Sequence, residues 1–91
     1  MEKRIGTVTI LMLDRSKAAE INQIVSEHQQ AVLCRQGLPF RDREVAVIAL
    51  IVEGTTDQLN ALTGRLGRVA GTVCKAVMAP IGVGTGKANQ S

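Results

Sequence analysis

The sequence predicts an α+β sandwich in the order βαββαβ, a four-stranded antiparallel sheet with two helices on one face. Three observations carry that expectation. Val45 to Val52 are all apolar and are closed at both ends by a carboxylate, Glu44 and Glu53. Two segments, near residues 17–27 and 56–70, repeat apolar residues every three or four positions, the period of a helix with one buried face. Short alternating stretches precede, separate and follow them, as strands do.

Ile5 to Leu13 reads as the first strand, with Val8, Ile10 and Met12 alternating against Thr7, Thr9, Leu11 and Leu13. Asp14 and Ser16 are both helix-capping types. Lys17 to Glu27 follows as an amphipathic helix of about three turns, with Ala18, Ile21, Ile24, Val25 and His28 on one side. Ala31 to Gln36 reads as a short second strand. Gly37, Leu38 and Pro39 are expected to end it, since Gly admits a positive φ and Pro fixes the chain away from helix.

The long apolar run is the third strand, because half its residues are Val or Ile and its length is short for a buried helix. Val45, Val47, Ala49 and Ile51 share one face, and Ala46, Ile48, Leu50 and Val52 the other. Both faces call for cover, and two helices cover only one. A second copy of the chain is the simplest cover for the other, so Val45, Val47, Ile48, Leu50 and Val52 are the expected interface residues of a homo-oligomer, a dimer or a tetramer.

Thr55, Thr56 or Asp57 caps a second helix that runs to about Ala70, with Leu59, Leu62, Leu66 and Val69 on its apolar edge. Gly71 is the expected stop. Gly64 and Gly67 each cost about 1 kcal/mol against Ala inside a helix, which predicts close packing of that helix on another backbone. Val73 to Met78 is the last strand. The expected organisation is one domain over residues 1–79 and a flexible C-terminal tail over 80–91, rich in glycine at Gly82, Gly84 and Gly86. The order is that of the ferredoxin-like split βαβ arrangement.

A chain of 91 residues buries only roughly 60–65% of its surface, so self-association is a normal route to stability. The net charge of +3 comes from scattered residues, which reads as a solvated surface instead of a nucleic-acid patch. An RNA-recognition module shares this element order, but it stacks bases on aromatics of its central strands. Phe40 is the single aromatic residue here, and it lies outside those strands. The apolar part of the first strand is too short for a signal peptide or a membrane span, so a cytoplasmic protein without a membrane partner is expected.

Cys34 and Cys74 lack CxxC spacing and read as reduced thiols packed as small core hydrophobes. His28 and Cys34 are the weak candidates for a metal, and His28 is more simply explained as a side chain favouring the negative end of a helix. The stretch from Gly82 to Lys87 lacks the spacing of a phosphate loop. No Ser or Cys nucleophile stands beside a base, so no enzyme is expected, and the sequence leaves any cofactor unknown. Asp14, Arg15 and Ser16 at the first strand-to-helix turn are the residues best suited to a small charged ligand.

Cys34-Arg-Gln-Gly-Leu-Pro39, Val45 to Val52, and Leu59-Asn-Ala-Leu-Thr-Gly-Arg-Leu-Gly-Arg-Val-Ala-Gly71 with Val73, Lys75 and Val77 resemble the family of regulators of the iron-only hydrogenase system. With Asp14, Arg15, Lys17 and Ala18 the likeness extends from Ile5 to Met78. That family looks like ACT domains and like the C-terminal domain of the nickel-responsive repressor. The resemblance implies a non-enzymatic regulatory module that senses a small-molecule effector between subunits. By the ACT analogy, Leu13, Asp14, Arg15 and Ser16 would line the ligand site. Nickel sensing of the repressor kind needs several His, and one His does not supply it. The alternative is an interaction module that docks a partner and binds no ligand.

Overall fold

The computed structural model describes residues 2–40 and 43–80. Strand β1 (Arg4–Met12) leads through a 3-10 turn (Arg15–Lys17) into helix α1 (Ala18–Glu27). A second 3-10 turn (Gln29–Ala31) precedes β2 (Val32–Pro39), then β3 (Ala46–Gly54), α2 (Thr56–Gly67) and β4 (Thr72–Met78). The sheet order is β2-β3-β1-β4, with every neighbouring pair antiparallel. This is the ferredoxin-like arrangement, with the two most apolar strands in the centre.

Alternation decides which residues meet the helices. Val8, Ile10 and Met12 of β1 and Ile48, Leu50 and Val52 of β3 are buried against Ile21, Ile24 and Val25 of α1 and Leu59, Leu62 and Leu66 of α2. No described polar or charged residue is buried. Each fully buried aliphatic side chain contributes about 1.5–3 kcal/mol, so this one layer holds the fold. The expected interface is therefore corrected: Ile48, Leu50 and Val52 are core residues of the protomer. Val45 and Val47 lie on the opposite alternation.

Among the described residues, no helix covers the opposite face. Residues paired across strands share a face, so its rows run Cys34–Ile51–Thr7–Val77, Gln36–Ala49–Thr9–Lys75 and Leu38–Val47–Leu11–Val73. Exposed large apolar residues concentrate there, Val77 at 71%, Leu38 at 57%, Ile51 at 44% and Val73 at 43%.

Two local expectations change. Gly37, Leu38 and Pro39 belong to β2, which runs on to end at Pro39 instead of Gln36, because β2 is an edge strand and a proline there sacrifices no internal hydrogen bond. Cys34 is exposed, not a core residue, since a register shift between Val32 and Cys34 puts it on the uncovered face. The predicted tail, apart from Pro80, lies outside the described residues.

Thr55 caps α2, accepting from the Gln58 N–H, while the Gln58 side chain accepts from the Thr55 N–H in a reciprocal capping box. Gly64 and Gly67 correct the packing expectation: a Cβ at either would meet nothing within 4 Å. Gly67 ends α2 at an exposed position, so Gly67→Ala is expected to stabilise the protein by about 0.5–1 kcal/mol, through lower chain entropy in the unfolded state. Thermal unfolding should show a rise of a few degrees; a fall would mean that this glycine meets another backbone after all.

Candidate functional site

Leu13, Asp14, Arg15 and Ser16 form the exposed bend between β1 and α1. Asp14 Oδ1 accepts from the Ser16 hydroxyl at 2.7 Å and from the Ser16 N–H at 3.0 Å, and its carbonyl accepts from the Lys17 N–H. Those two bonds from Ser16, the hydroxyl first, hold the Asp14 carboxyl below its ordinary pKa. The capping expected of Asp14 is thus present, and it uses one carboxylate oxygen.

Two distant parts of the chain converge on this bend. The Leu13 N–H donates to the Gly71 carbonyl at 2.8 Å. Gly71 has φ +72, and a Cβ there would stand 2.9 Å from Asp14 Cβ, so both conformation and space demand glycine. Arg15 donates to the Phe40 carbonyl at 2.5 Å, joining the bend to the end of β2. Thr72, next to Gly71, has a buried hydroxyl without a hydrogen-bond partner among the described residues. Sequence reasoning named the four bend residues but not their neighbours Phe40, Gly71 and Thr72, because strand order alone brings those together.

Leu13 is 48% exposed and continues the alternation of Ile5, Thr7, Thr9 and Leu11. The bend therefore sits at one end of the uncovered sheet face. It lines neither of two shallow concavities in the helix layer. One, of about 290 Å³, lies between the helices at Glu20, Gln23, Ile24, Arg65 and Arg68. Arg65 there is paired with Glu27, whose carboxyl is lowered mainly by that guanidinium. The pair is solvent-accessible and adds little stability. The other, of about 350 Å³, lies beside His28, Gln29, Gln30 and Gln58.

The two weak metal candidates are not brought together. His28 caps α1 in the helix layer, with Nδ1–H donating to the Ile24 carbonyl at 2.8 Å, while Cys34 lies on the far side of the sheet. Among the described residues no three His, Cys, Asp or Glu side chains gather as a metal site. Cys34 and Cys74 occupy the two outermost strands, three strand spacings or about 14 Å apart, too far for an intrachain disulfide. Burial pushes the Cys74 thiol up from its ordinary pKa. None of the described helices is long and apolar enough to cross a membrane.

Residues 4–76 match a family described as "TM1266-like: Iron-only hydrogenase system regulator, putative". Among solved structures, the uncharacterized protein TM1266 from Thermotoga maritima is 34% identical with a TM-score of 0.80, over 87% of this chain and all of that one. Two more distant structures share the fold alone. The de novo designed protein Foldit4 is 10% identical with a TM-score of 0.55, over 87% of this chain and 98% of that one. CutA1 from Oryza sativa is 17% identical with a TM-score of 0.51, over 89% and 84%. No curated protein matches the chain.

Proposed function

Because the chain belongs to the TM1266-like family, described as a regulator of the iron-only hydrogenase system, we propose that it is a non-catalytic regulatory module, cytoplasmic and self-assembling, that senses a small molecule at the bend from Leu13 to Ser16. The family match over nearly the whole sheet and both helices carries this reading. Three properties of the bend support its part in it. Arg15 offers a guanidinium held by a single carbonyl contact, Asp14 offers a carboxylate that stays charged at neutral pH, and Leu13 offers an exposed apolar side chain. Together they suit an amphoteric ligand with a small apolar part, such as an amino acid. An exposed turn of this kind needs a second subunit over it to exclude water from a bound ligand.

Thermal-shift and calorimetric screening against amino acids and divalent cations tests the proposal. A ligand present at 100 times its dissociation constant stabilises the folded state by about 2.7 kcal/mol, a readily measured rise in melting temperature. The expected result is a rise with an amino acid that is lost in Arg15→Ala and in Asp14→Asn. A rise with a metal alone, abolished by His28→Ala, would replace this reading with metal binding. No rise with any compound would leave the docking module that binds no ligand.

A further inference from the structure

The uncovered face of the sheet is divided into rows of distinct character. Its middle row is small or polar, Gln36–Ala49–Thr9–Lys75; one flanking row, Leu38–Val47–Leu11–Val73, is wholly aliphatic, and the other, Cys34–Ile51–Thr7–Val77, contributes Ile51 and Val77. Small residues in the centre let a second surface approach, and the flanking rows supply the area that leaves water. The charged residues of these paired rows are few and peripheral. Lys75 stands on outer strand β4, and Glu53 stands at one end of the face beside Ile5. A largely apolar surface with its charges kept to the outer strand and one end has the composition of a protein interface.

Size agrees with that reading. Four strands about 4.8 Å apart, paired over seven to nine residues at about 3.3 Å each, project roughly 450–550 Å² before side-chain relief is counted. Side-chain relief brings this toward the ~800 Å² per partner of a standard interface.

We propose that a second copy of the chain docks on this face, sheet against sheet, about a two-fold axis running along the strands. Each β2 then lies over the partner's β4. Charge selects this axis over its perpendicular. An axis across the strands through the middle row sets Lys75 against the partner's Lys75, two like charges at a closing interface. An axis along the strands sets Lys75 against the partner's Gln36, whose amide oxygen accepts from an ammonium. The same axis puts Leu38 over the partner's Val73 and Val47 over the partner's Leu11, aliphatic on aliphatic. Aligned sheets pack in this way about 10 Å apart.

The proposal rests on the self-assembling regulator reading, and its test uses no ligand, so the two fail separately. Light scattering of the full chain is expected to give twice the 9.7 kDa chain mass. Ile51→Lys and, independently, Val77→Lys should weaken the dimer at least tenfold while far-UV circular dichroism stays that of the parent. A parent that is monomeric at 100 μM, or folded variants that assemble as the parent does, would overturn the proposal.

Geometry is tested by a short bismaleimide on chains in which Cys34→Ser and Cys74→Ser remove the natural thiols. Gln36→Cys combined with Lys75→Cys should crosslink to a dimer at least tenfold more than either substitution alone. Efficient crosslinking of Lys75→Cys alone would overturn the axis. A dimer in which no ligand shifts the melting temperature leaves this proposal intact and removes the sensing role.

Discussion

Leu50→Asp is expected to abolish folding, with or without assembly. Leu50 is 0% exposed on β3, paired with Val8 of β1 and part of the aliphatic core cluster, so an aspartate there has neither water nor a cationic partner. Two losses add. The missing aliphatic bulk leaves a cavity worth about 2–5 kcal/mol on the scale of Leu→Ala changes. The carboxylate must also be ionised at a cost of several kcal/mol or be protonated against its normal titration. A domain of this size has only about 5–13 kcal/mol in hand. Far-UV circular dichroism should show an unfolded chain at neutral pH. Val47→Asp is the matching control, since Val47 lies on the uncovered face and its carboxylate reaches solvent in a monomer. A folded Leu50→Asp protein would mean that β3 faces the helices with its other alternation.

Gly6→Val carries the second largest expected effect, and its sign opposes simple strand propensity. Val is favoured in strands over Gly. Yet Gly6 is buried on β1 between Val52 and Met78, and a Cβ there would stand 2.2 Å from Met78 Sδ and 2.7 Å from the Val77 carbonyl oxygen. The methionine can swing away; the carbonyl cannot, because it belongs to the β4 backbone. Inserting Val therefore requires β4 to shift at this end, with a cost of about 3 kcal/mol, the upper range for overpacking. At about 4–8 °C per kcal/mol, the melting temperature should fall by at least 12 °C. Met78→Ala in the same chain should restore only part of the loss. A melting temperature within a few degrees of the parent would show that β4 yields freely at its end.

The element order was legible because each helix repeats its aliphatics at helical spacing and the Val45 to Val52 run admits little but a strand. The expected apolar residues Ile21, Ile24 and Val25 of α1 and Leu59, Leu62 and Leu66 of α2 are buried, Ala18 is half-buried, and Val69 is buried although α2 stops at Gly67, short of the expected Ala70. What β3 alone could not reveal was which of its two apolar faces the helices take. The answer lay in β1, where Val8, Ile10 and Met12 alternate with threonines, but using it requires the β1–β3 register. Gly37 to Pro39 looked like a turn because composition does not say that β2 is an edge, where such residues are tolerated. For the bend, local chemistry exposed Asp14 as a cap for Ser16. Its neighbours Phe40, Gly71 and Thr72 come from the ends of other strands, and no spacing along the chain announces such a meeting.

The pairing of Gly6 with Met78 sets the order in which this protein can be born. A ribosome releases β1 first, yet that strand lies inside the sheet and needs β3 on one flank and β4 on the other. Hairpin β2–β3 can form during synthesis from neighbouring residues, whereas the last flank of β1 stays bare until the chain is translated through residue 78. Such distant closure is slow, and a bare ladder edge is a template for unwanted pairing. A nascent chain stalled before Thr72 thus holds nearly all of its hydrophobic core and none of the strand that seals it, the state in which a chaperone would be most needed.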